Sequence, residues 1–480
     1  MSTPKAGNPA ARSPSHGKGH DMTDQITRDE ARLLADAENA LNALAPADRK
    51  HRAYYEGRQT LQHLGLALPP ALRSLETVVN WPRVVVDTIE ERQDVRGIMV
   101  PSHPEAADAL RAMIDANDLA AELCKWKRDR LIYGRAYLSV GVGDQEGDYP
   151  IICVESPRQM TVKYDYRRKT ITHAVRIVAD QAADGTQTRY ATIYTPDTTT
   201  TYATVGGAWR VVDRDNHHLG VVPVIPSFNR QMTGETTGHS EMDDIMGVTD
   251  AAARAVTQMQ AALETNAVPK RIIMGAKRSD FADPSAWTNY LNPFVALQNA
   301  GAKVTQLAPG ELSNFHSTIE LYGKLAASLT GFPARYFGLI TTNPPAEGAI
   351  RAEESKLVKR VERVNAECGA ALSRALTIAA RIMGHAIPMG AVNVAWHDPA
   401  TPTFSQKADA LQKLAGGKPL ISREGAWDEL GWDDARKATE RAYLREEETD
   451  PDLLRLLEKT TPTLTDDDLN AAHGIDSARD

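Results

Sequence analysis

Between residues 346 and 383 the apolar positions Ile350, Leu357, Val361, Val364, Cys368, Ala371, Ala375, Ile378 and Ile382 recur at three- and four-residue intervals, the period of one helix face. The run predicts one uninterrupted helix, a strut roughly 55 Å long at ~1.5 Å rise per residue. A stripe of that length is expected to exceed what a compact domain covers alone. Two shorter amphipathic stretches precede it. Ser240 is placed to cap a helix with the seam Met242, Ile245, Met246, Ala253, Val256, Met259 and Leu263, ending before Pro269. A second helix runs through Phe315, Ile319, Tyr322, Leu325 and Leu329 and stops at Gly331, with Pro333 behind it. Between them, residues 268–309 mix short β-like pieces with turns at Asp283-Pro284, Asn292-Pro293 and Pro309-Gly310. A Gly/Pro-rich loop, 331–345, then leads into the strut.

Toward the N-terminus, Thr27 and Glu30 form a capping box opening a helix through Leu33, Leu34, Ala37 and Leu41. A second helical stretch holds Tyr54-Tyr55-Glu56-Gly57, and Asn80-Trp81-Pro82-Arg83 opens another, with proline at a first-turn position. From 131 to 226 the period changes to two, predicting strands at 136–142, 151–154, 171–178, 190–194 and 209–212. Turn signals at Asp184-Gly185 and Gly206-Gly207 make neighbouring strands antiparallel, because such short connections cannot form parallel crossovers. The expectation is a half-open β-rich sheet packed on helices. After the strut come a strand at 392–396 and a helical cluster at 405–459. The fold class is α+β, mainly helical.

Composition narrows the classes of function. With 480 residues, 42% apolar and 25% charged, the chain can bury several packing units, and no apolar run reaches the length of a membrane span or a secretory signal. The expected compartment is the cytoplasm. Residues 1–26 are rich in Ser, Pro, Gly and Lys and read as a flexible arm, with Met22 as an alternative start. Cys124, Cys153 and Cys368 are too scattered for a disulfide framework or a structural zinc site. The net charge of −8 argues against a protein that grips nucleic acid by neutralising phosphates. From residue 401 onward, eighteen Asp and Glu face eleven Lys and Arg, so the imbalance concentrates in the C-terminal region and its acidic tail, 460–480.

Enzymatic signals are thin. Gly141, Gly143 and Gly147 do not fit a dinucleotide fingerprint, Gly275-Ala276-Lys277-Arg278-Ser279 lacks P-loop spacing, and there is no helical His-Glu-x-x-His pattern. Gly238-His239-Ser240-Glu241-Met242 lacks the second glycine of a nucleophile elbow, and Ser240 is better explained as a cap. His217-His218 are adjacent, so their side chains diverge rather than converge on a metal, and Asp466-Asp467-Asp468 lacks the glycine and terminal glutamate of a calcium loop. Lys125-Trp126-Lys127-Arg128 mixes basic and aromatic residues as nucleic-acid surfaces do, but reads better as an ordinary amphipathic helix face. No catalytic residue, metal or cofactor is expected.

The sequence resembles the portal proteins of tailed bacteriophages, particularly siphophages that infect actinobacteria. The likeness is carried by the order of Tyr54-Tyr55-Glu56-Gly57, Asn80-Trp81-Pro82-Arg83 with Val86-Asp87, the Ser240-Glu241 helix ending in Glu264 to Pro269, and Gly331-Phe332-Pro333 with Asn343-Pro344, Ala349-Ile350 and Glu353. Trp396, Asp398-Pro399 and the segment from Ala408 to Leu414 continue it. The resemblance implies a wing at 27–239 joined by the long helix and returning strand at 347–400. It also implies stem helices at 240–267 and 313–330, a clip at 268–312, a tunnel loop at 331–346 and a crown at 401–459.

It further implies a ring, commonly of twelve subunits, at one capsid vertex, through which double-stranded DNA passes without sequence specificity. The implied partners are the terminase large subunit, the major capsid and scaffolding proteins and a head–tail adaptor. An acidic conduit suits that role, since fixed cations on phosphate would brake translocation. Met242, Met246, Val256, Met259, Leu263, Ile319, Tyr322 and Leu325 are the candidate seam between ring neighbours. Arg335, Thr341, Thr342, Asn343, Pro344 and Pro345 are the candidate channel residues. Arg335 reads equally as a helix-end or intersubunit cation, and Lys356, Lys359, Arg360 and Arg363 as a channel wall or a solvated helix face. Two rivals remain open: a cytoplasmic hydrolase or transferase with its site in the β-rich region, and a helical scaffold unrelated to DNA.

Overall fold

A computed structural model describes residues 25–60, 77–266 apart from 144, 146, 166, 169 and 182–186, then 271–275, 301, 303–306, 313–339, 347–400, 404–416, 418–432 and 434–448. The chain divides into two units, Met1–Ala400 and Thr401–Asp480.

The first unit opens with α1 (Arg28–Glu56), whose capping box forms as predicted: the Glu30 N–H donates to Thr27 Oγ1 at 3.2 Å and the Thr27 N–H to Glu30 Oε2 at 2.9 Å. The two helical stretches expected here are one helix running through Pro46 to a left-handed Gly57. Pro46 is exposed, and buried contacts on both sides of it, Leu34 and Ala37 before and Asp48 and Tyr54 after, outweigh the hydrogen bond that proline removes. In α2 (Trp81–Glu90) the Asn80 side chain accepts the Arg83 N–H and Pro82 occupies the first turn. Then follow β1 (Val95–Met99), α3 (Pro104–Ala116) and α4 (Leu119–Tyr133).

Eight strands come next: β2 (Arg135–Gly141), β3 (Ile151–Glu155), β4 (Met160–Asp165), β5 (Thr170–Gln181), β6 (Gln187–Tyr194), β7 (Thr199–Val205), β8 (Ala208–Asp215) and β9 (Val224–Phe228). The single half-open sheet expected from the alternation is instead two antiparallel sheets, a five-stranded meander β4-β5-β6-β7-β8 and a three-stranded sheet β3-β2-β9. The meander lays Val175, Ala191, Ile193, Tyr202 and Val211 against Leu34 and Ala37 of α1. β2 is covered on both faces, which forces its Arg135 into the interior. There its guanidinium meets Asp48 of α1 at 3.0 and 2.7 Å and takes the Pro157 carbonyl at 3.1 Å. Gly134 turns from α4 into β2 at φ 74°, and a Cβ on it would lie 2.6 Å from the Gly238 carbonyl, so the two glycines let the chain cross itself.

The remaining elements of this unit are α5 (Asp243–Asn266), β10 (Arg271–Met274), β11 (Lys303–Gln306), α6 (Ser313–Thr330), a 3₁₀ turn (Ala334–Phe337), α7 (Glu347–Ile382) and β12 (Asn393–Trp396). The strut is thus a single helix of 36 residues. The expectation that its stripe exceeds what one chain can cover is corrected: Val364, Cys368, Ala371, Leu372, Ala375 and Ile378 pack on α3, α4 and β2 in the largest core cluster, and Leu357 and Val361 in the next. β12 returns to pair with β1. Of the expected clip, β10 and β11 form an antiparallel pair and most of the remainder lies outside the described residues. The second unit holds α8 (Phe404–Ala415), α9 (Arg423–Leu430) and α10 (Asp434–Glu448), with Trp427 stacked on Trp432 at 5.6 Å. The expected arm up to residue 24 and the acidic tail lie outside the described residues.

Candidate ring interface and stem root

α5 and α6 carry nearly all of the candidate seam and divide it between two environments. Met242, just ahead of α5, and Ile245 and Met246 on its first turn pack with Trp81, Val85, Val86 and Ile89 of α2 and with Phe332. This corrects Met242 and Met246: both are covered by their own chain and leave the candidate seam. Two polar ties reinforce the contact. His51 Nε2 meets Asp243 Oδ1 at 2.9 Å, and the Tyr54 hydroxyl donates to Asp250 Oδ2 at 2.6 Å. Burial alone would raise the Asp243 carboxyl, but the hydrogen bond to His51 and the His51 charge hold it below the usual carboxylate range.

Farther along, Val256 and Met259 are half-buried and Leu263 is 38% exposed. On α6, Ile319 and Tyr322 are half-buried; Tyr322 leans on the same core as Ala326. The flank beside this stripe carries Leu321, Leu325 and Leu329, exposed by 53%, 43% and 53%. Of these three leucines, sequence reasoning named Leu325 and Leu329 in the helix and only Leu325, with Ile319 and Tyr322, in the seam. The signal for the row was the i, i+4, i+8 spacing, which puts all three on one face. Three leucines so displayed on one helix form an apolar surface that is exposed among the described residues.

Ser240 lies ahead of α5 rather than at its cap. It is buried, its hydroxyl donates to the Leu131 carbonyl at 3.4 Å and accepts the Met242 N–H at 3.2 Å, while His239 Nε2 faces Glu235. The pair is therefore not arranged as nucleophile and base. Trp126 and Lys127 are likewise interior: Lys127 donates to the Gln93 carbonyl at 2.6 Å and pairs with Glu90 at 3.4 Å, which removes the nucleic-acid reading of that segment. His217 Nδ1 accepts the Leu219 N–H at 3.3 Å, and among the described residues no group of three or more His, Cys, Asp or Glu side chains is placed to hold a metal.

Several of the basic candidates around the loop pair within the chain. Arg335, in the 3₁₀ turn, meets Glu353 at 3.2 Å and contacts Glu354, both on the strut, and lies over the Tyr336 ring. Glu354 also receives Arg92 at 3.2 Å and the Tyr336 hydroxyl at 3.2 Å. Burial pushes the Glu354 carboxyl up, and Arg92, Tyr336 and Arg335 together bring it below its ordinary value. Arg335 is thereby tied to the strut while its side chain stays 33% exposed. Lys359 pairs with Glu362 at 2.7 Å. Arg360 is turned inward to Glu241 and the Thr330 carbonyl. The Lys356 stem lies against Gly331, the left-handed residue ending α6, where a cation complements the helix's negative end. Thr341, Thr342, Asn343, Pro344 and Pro345 lie outside the described residues. No helix among the described residues is long and apolar enough to cross a membrane.

Against known proteins, the family model described as "Phage portal protein, SPP1 Gp6-like" matches residues 40–452. The portal protein of Mycobacterium phage D29 is 35% identical over 415 residues, covering 83% of this chain and 85% of its own length. That of Mycobacterium phage L5 is 34% identical over 438 residues, with 88% of each chain covered. A solved chain from the neck of an empty gene transfer agent particle, computed with C6 symmetry, is 17% identical with a TM-score of 0.46, covering 76% of this chain and 94% of its own. The sequence matches define the class: a capsid portal subunit, a structural component of a phage virion rather than a member of an enzyme family. The chain belongs to the SPP1 Gp6-like family of phage portal proteins.

Proposed function

We propose that this chain assembles with identical copies into a closed ring, commonly of twelve, at one capsid vertex, where it forms the channel for double-stranded DNA during packaging and ejection. In this reading residues 27–239 and 347–400 form the wing, α5 and α6 the stem, 268–312 the clip and 401–459 the crown. The tunnel loop, 331–346, faces the duplex through Thr341, Thr342, Asn343, Pro344 and Pro345. The chain performs no catalysis. A terminase motor docks on the clip and supplies the energy, capsid and scaffolding proteins surround the ring, and a head–tail adaptor seats beneath it. Assembly takes place in the host cytoplasm.

The observation that carries this reading is the outward row Leu321, Leu325 and Leu329 on α6, with Leu263 exposed on α5. A head-to-tail contact between identical subunits buries such a row on every copy and leaves no end exposed when the rotation closes. Each of these leucines is already about half covered, so covering the rest contributes on the order of 1 kcal/mol of transfer free energy, before ordering costs. Negative-stain imaging of the purified full chain is expected to show rings with an open centre. The Leu321→Asp/Leu325→Asp variant is expected to yield folded chains without rings. Rings of normal appearance from that variant would remove the leucine row from the interface.

A further inference from the structure

Five elements meet around a chain of buried polar groups: α4, the end of β9, the segment entering α5, the last residue of α6, and the strut. Arg130 of α4 is fully buried and donates to Ser227 Oγ at 3.0 Å, Asn229 Oδ1 at 3.1 Å and the Phe228 carbonyl at 2.7 Å, and it contacts Glu367 of the strut. Asn229 passes the chain onward, its Nδ2 donating to Glu241 Oε2 at 2.9 Å. Glu241 is buried, two residues ahead of α5, and the guanidinium opposite its other oxygen is that of Arg360. The same guanidinium donates to the Thr330 carbonyl, the last of α6, at 2.9 Å.

Arg360 therefore touches the root of the α5–α6 excursion at both of its ends. The apolar contacts beside it, Met242, Ile245 and Ala326 among them, are non-directional and tolerate a change of tilt. A planar guanidinium holding a carboxylate and a carbonyl at once is not so tolerant. We infer that Arg360 is the positioning residue that sets the angle between the α5–α6 pair and the strut, with Glu241 as its counter-charge. Movement of the excursion is then passed to the strut through this joint rather than through the connecting chain alone. The inference does not depend on what covers the outer face of α6, because the tilt is read within one chain.

The test uses full-length protein with Cys124 and Cys153 replaced by serine, spin labels at exposed positions Gln258 and Arg374, and labelled subunits diluted with unlabelled ones. The native joint is expected to give one narrow distance distribution. Arg360→Met is expected to broaden it about two-fold, since the directional contacts are gone, and to lower the melting temperature. Adding Glu241→Gln removes the unpaired buried charge, so the double variant is expected to recover melting temperature yet stay broad. A purely structural role predicts recovery of both together. A narrow distribution in the double variant overturns the proposal, and because that variant leaves no buried charge unpaired it carries the test even where Arg360→Met alone does not fold.

Discussion

The strut and α6 are both long helices whose apolar residues repeat every three or four positions, yet they use that repeat in opposite ways. From Leu357 to Ala380 the strut presses its apolar positions into its own chain, and its exposed face is left with charges and alanines. On α6 the apolar stripe is wider than the part that packs inward: Ala326 is buried and Tyr322 half-buried, while the adjoining row Leu321, Leu325 and Leu329 is exposed. Periodicity establishes that a helix has an apolar face. It does not say whose atoms cover it, and the exposed leucine row of α6 is where the proposed ring contact would fall.

The sharpest way to break this contrast is a charge on each helix. Val361→Asp places an unpaired carboxylate in a closed core and is expected to leave little folded protein, measured as soluble yield and loss of the thermal transition. Leu325→Asp is expected to keep the melting temperature of the dispersed chain within a few degrees of the parent and to abolish assembly. Equal damage from both would erase the distinction.

A smaller effect is expected at the interior pair Arg135 and Asp48, whose side chains are each 3% exposed. Arg135→Met leaves a buried carboxylate without its partner and is expected to cost about 3–5 kcal/mol, read from denaturant unfolding. Asp48→Asn/Arg135→Met together should cost much less.

Asp129 on α4 sharpens the comparison through pH. Burial pushes its carboxyl up to about 6, against the opposing pull of Arg128, Arg158 and Arg52. An unfolded aspartate titrates near ~3.9. The folded chain thus holds this proton over a range where the unfolded chain has lost it, so the group's contribution to stability is fully present below the unfolded value, falls as pH rises toward about 6, and is flat above. Asp129→Asn removes the effect and is expected to gain on the order of 1–3 kcal/mol over the parent between pH 4 and pH 7.5. Unfolding curves at the two pH values check it; an equal difference at both would exclude the burial account.

The mildest change is Gly331→Ala. With φ at 72° and the Lys356 stem 3.1 Å from the added Cβ, it is expected to cost about 1 kcal/mol and to fray the end of α6 in hydrogen exchange, leaving the β4–β8 sheet unchanged.

Much of the fold was legible where local chemistry and burial agree. The strut, expected over 346–383, spans Glu347–Ile382, and the second stretch, expected to end before Gly331, is α6. The capping box at Thr27 and the first-turn proline Pro82 needed only residue type and spacing. β7 escaped because its threonines mute the alternation, although Thr200 and Tyr202 are buried. α3 escaped because its inward face is built partly from Ala106 and Ala107, which carry little hydrophobic contrast. At the candidate site the sequence grouped Met242 and Met246 with Leu263 in one seam, since a period does not tell the end of α5 that packs on its own chain from the end that is exposed. The ion pairs of Arg335 were not legible because Glu353 and Glu354 reach it from the strut, eighteen and nineteen residues away.

The central claim is that identical subunits cover the outer face of α6, and the reactivity of a thiol placed there tests it most directly. With Cys124 and Cys153 replaced by serine, the Leu325→Cys chain should react quickly with a maleimide when dispersed and become protected as native mass spectrometry shows rings forming. A thiol that stays reactive in complete rings, or that is already shielded in a lone chain, would contradict the account.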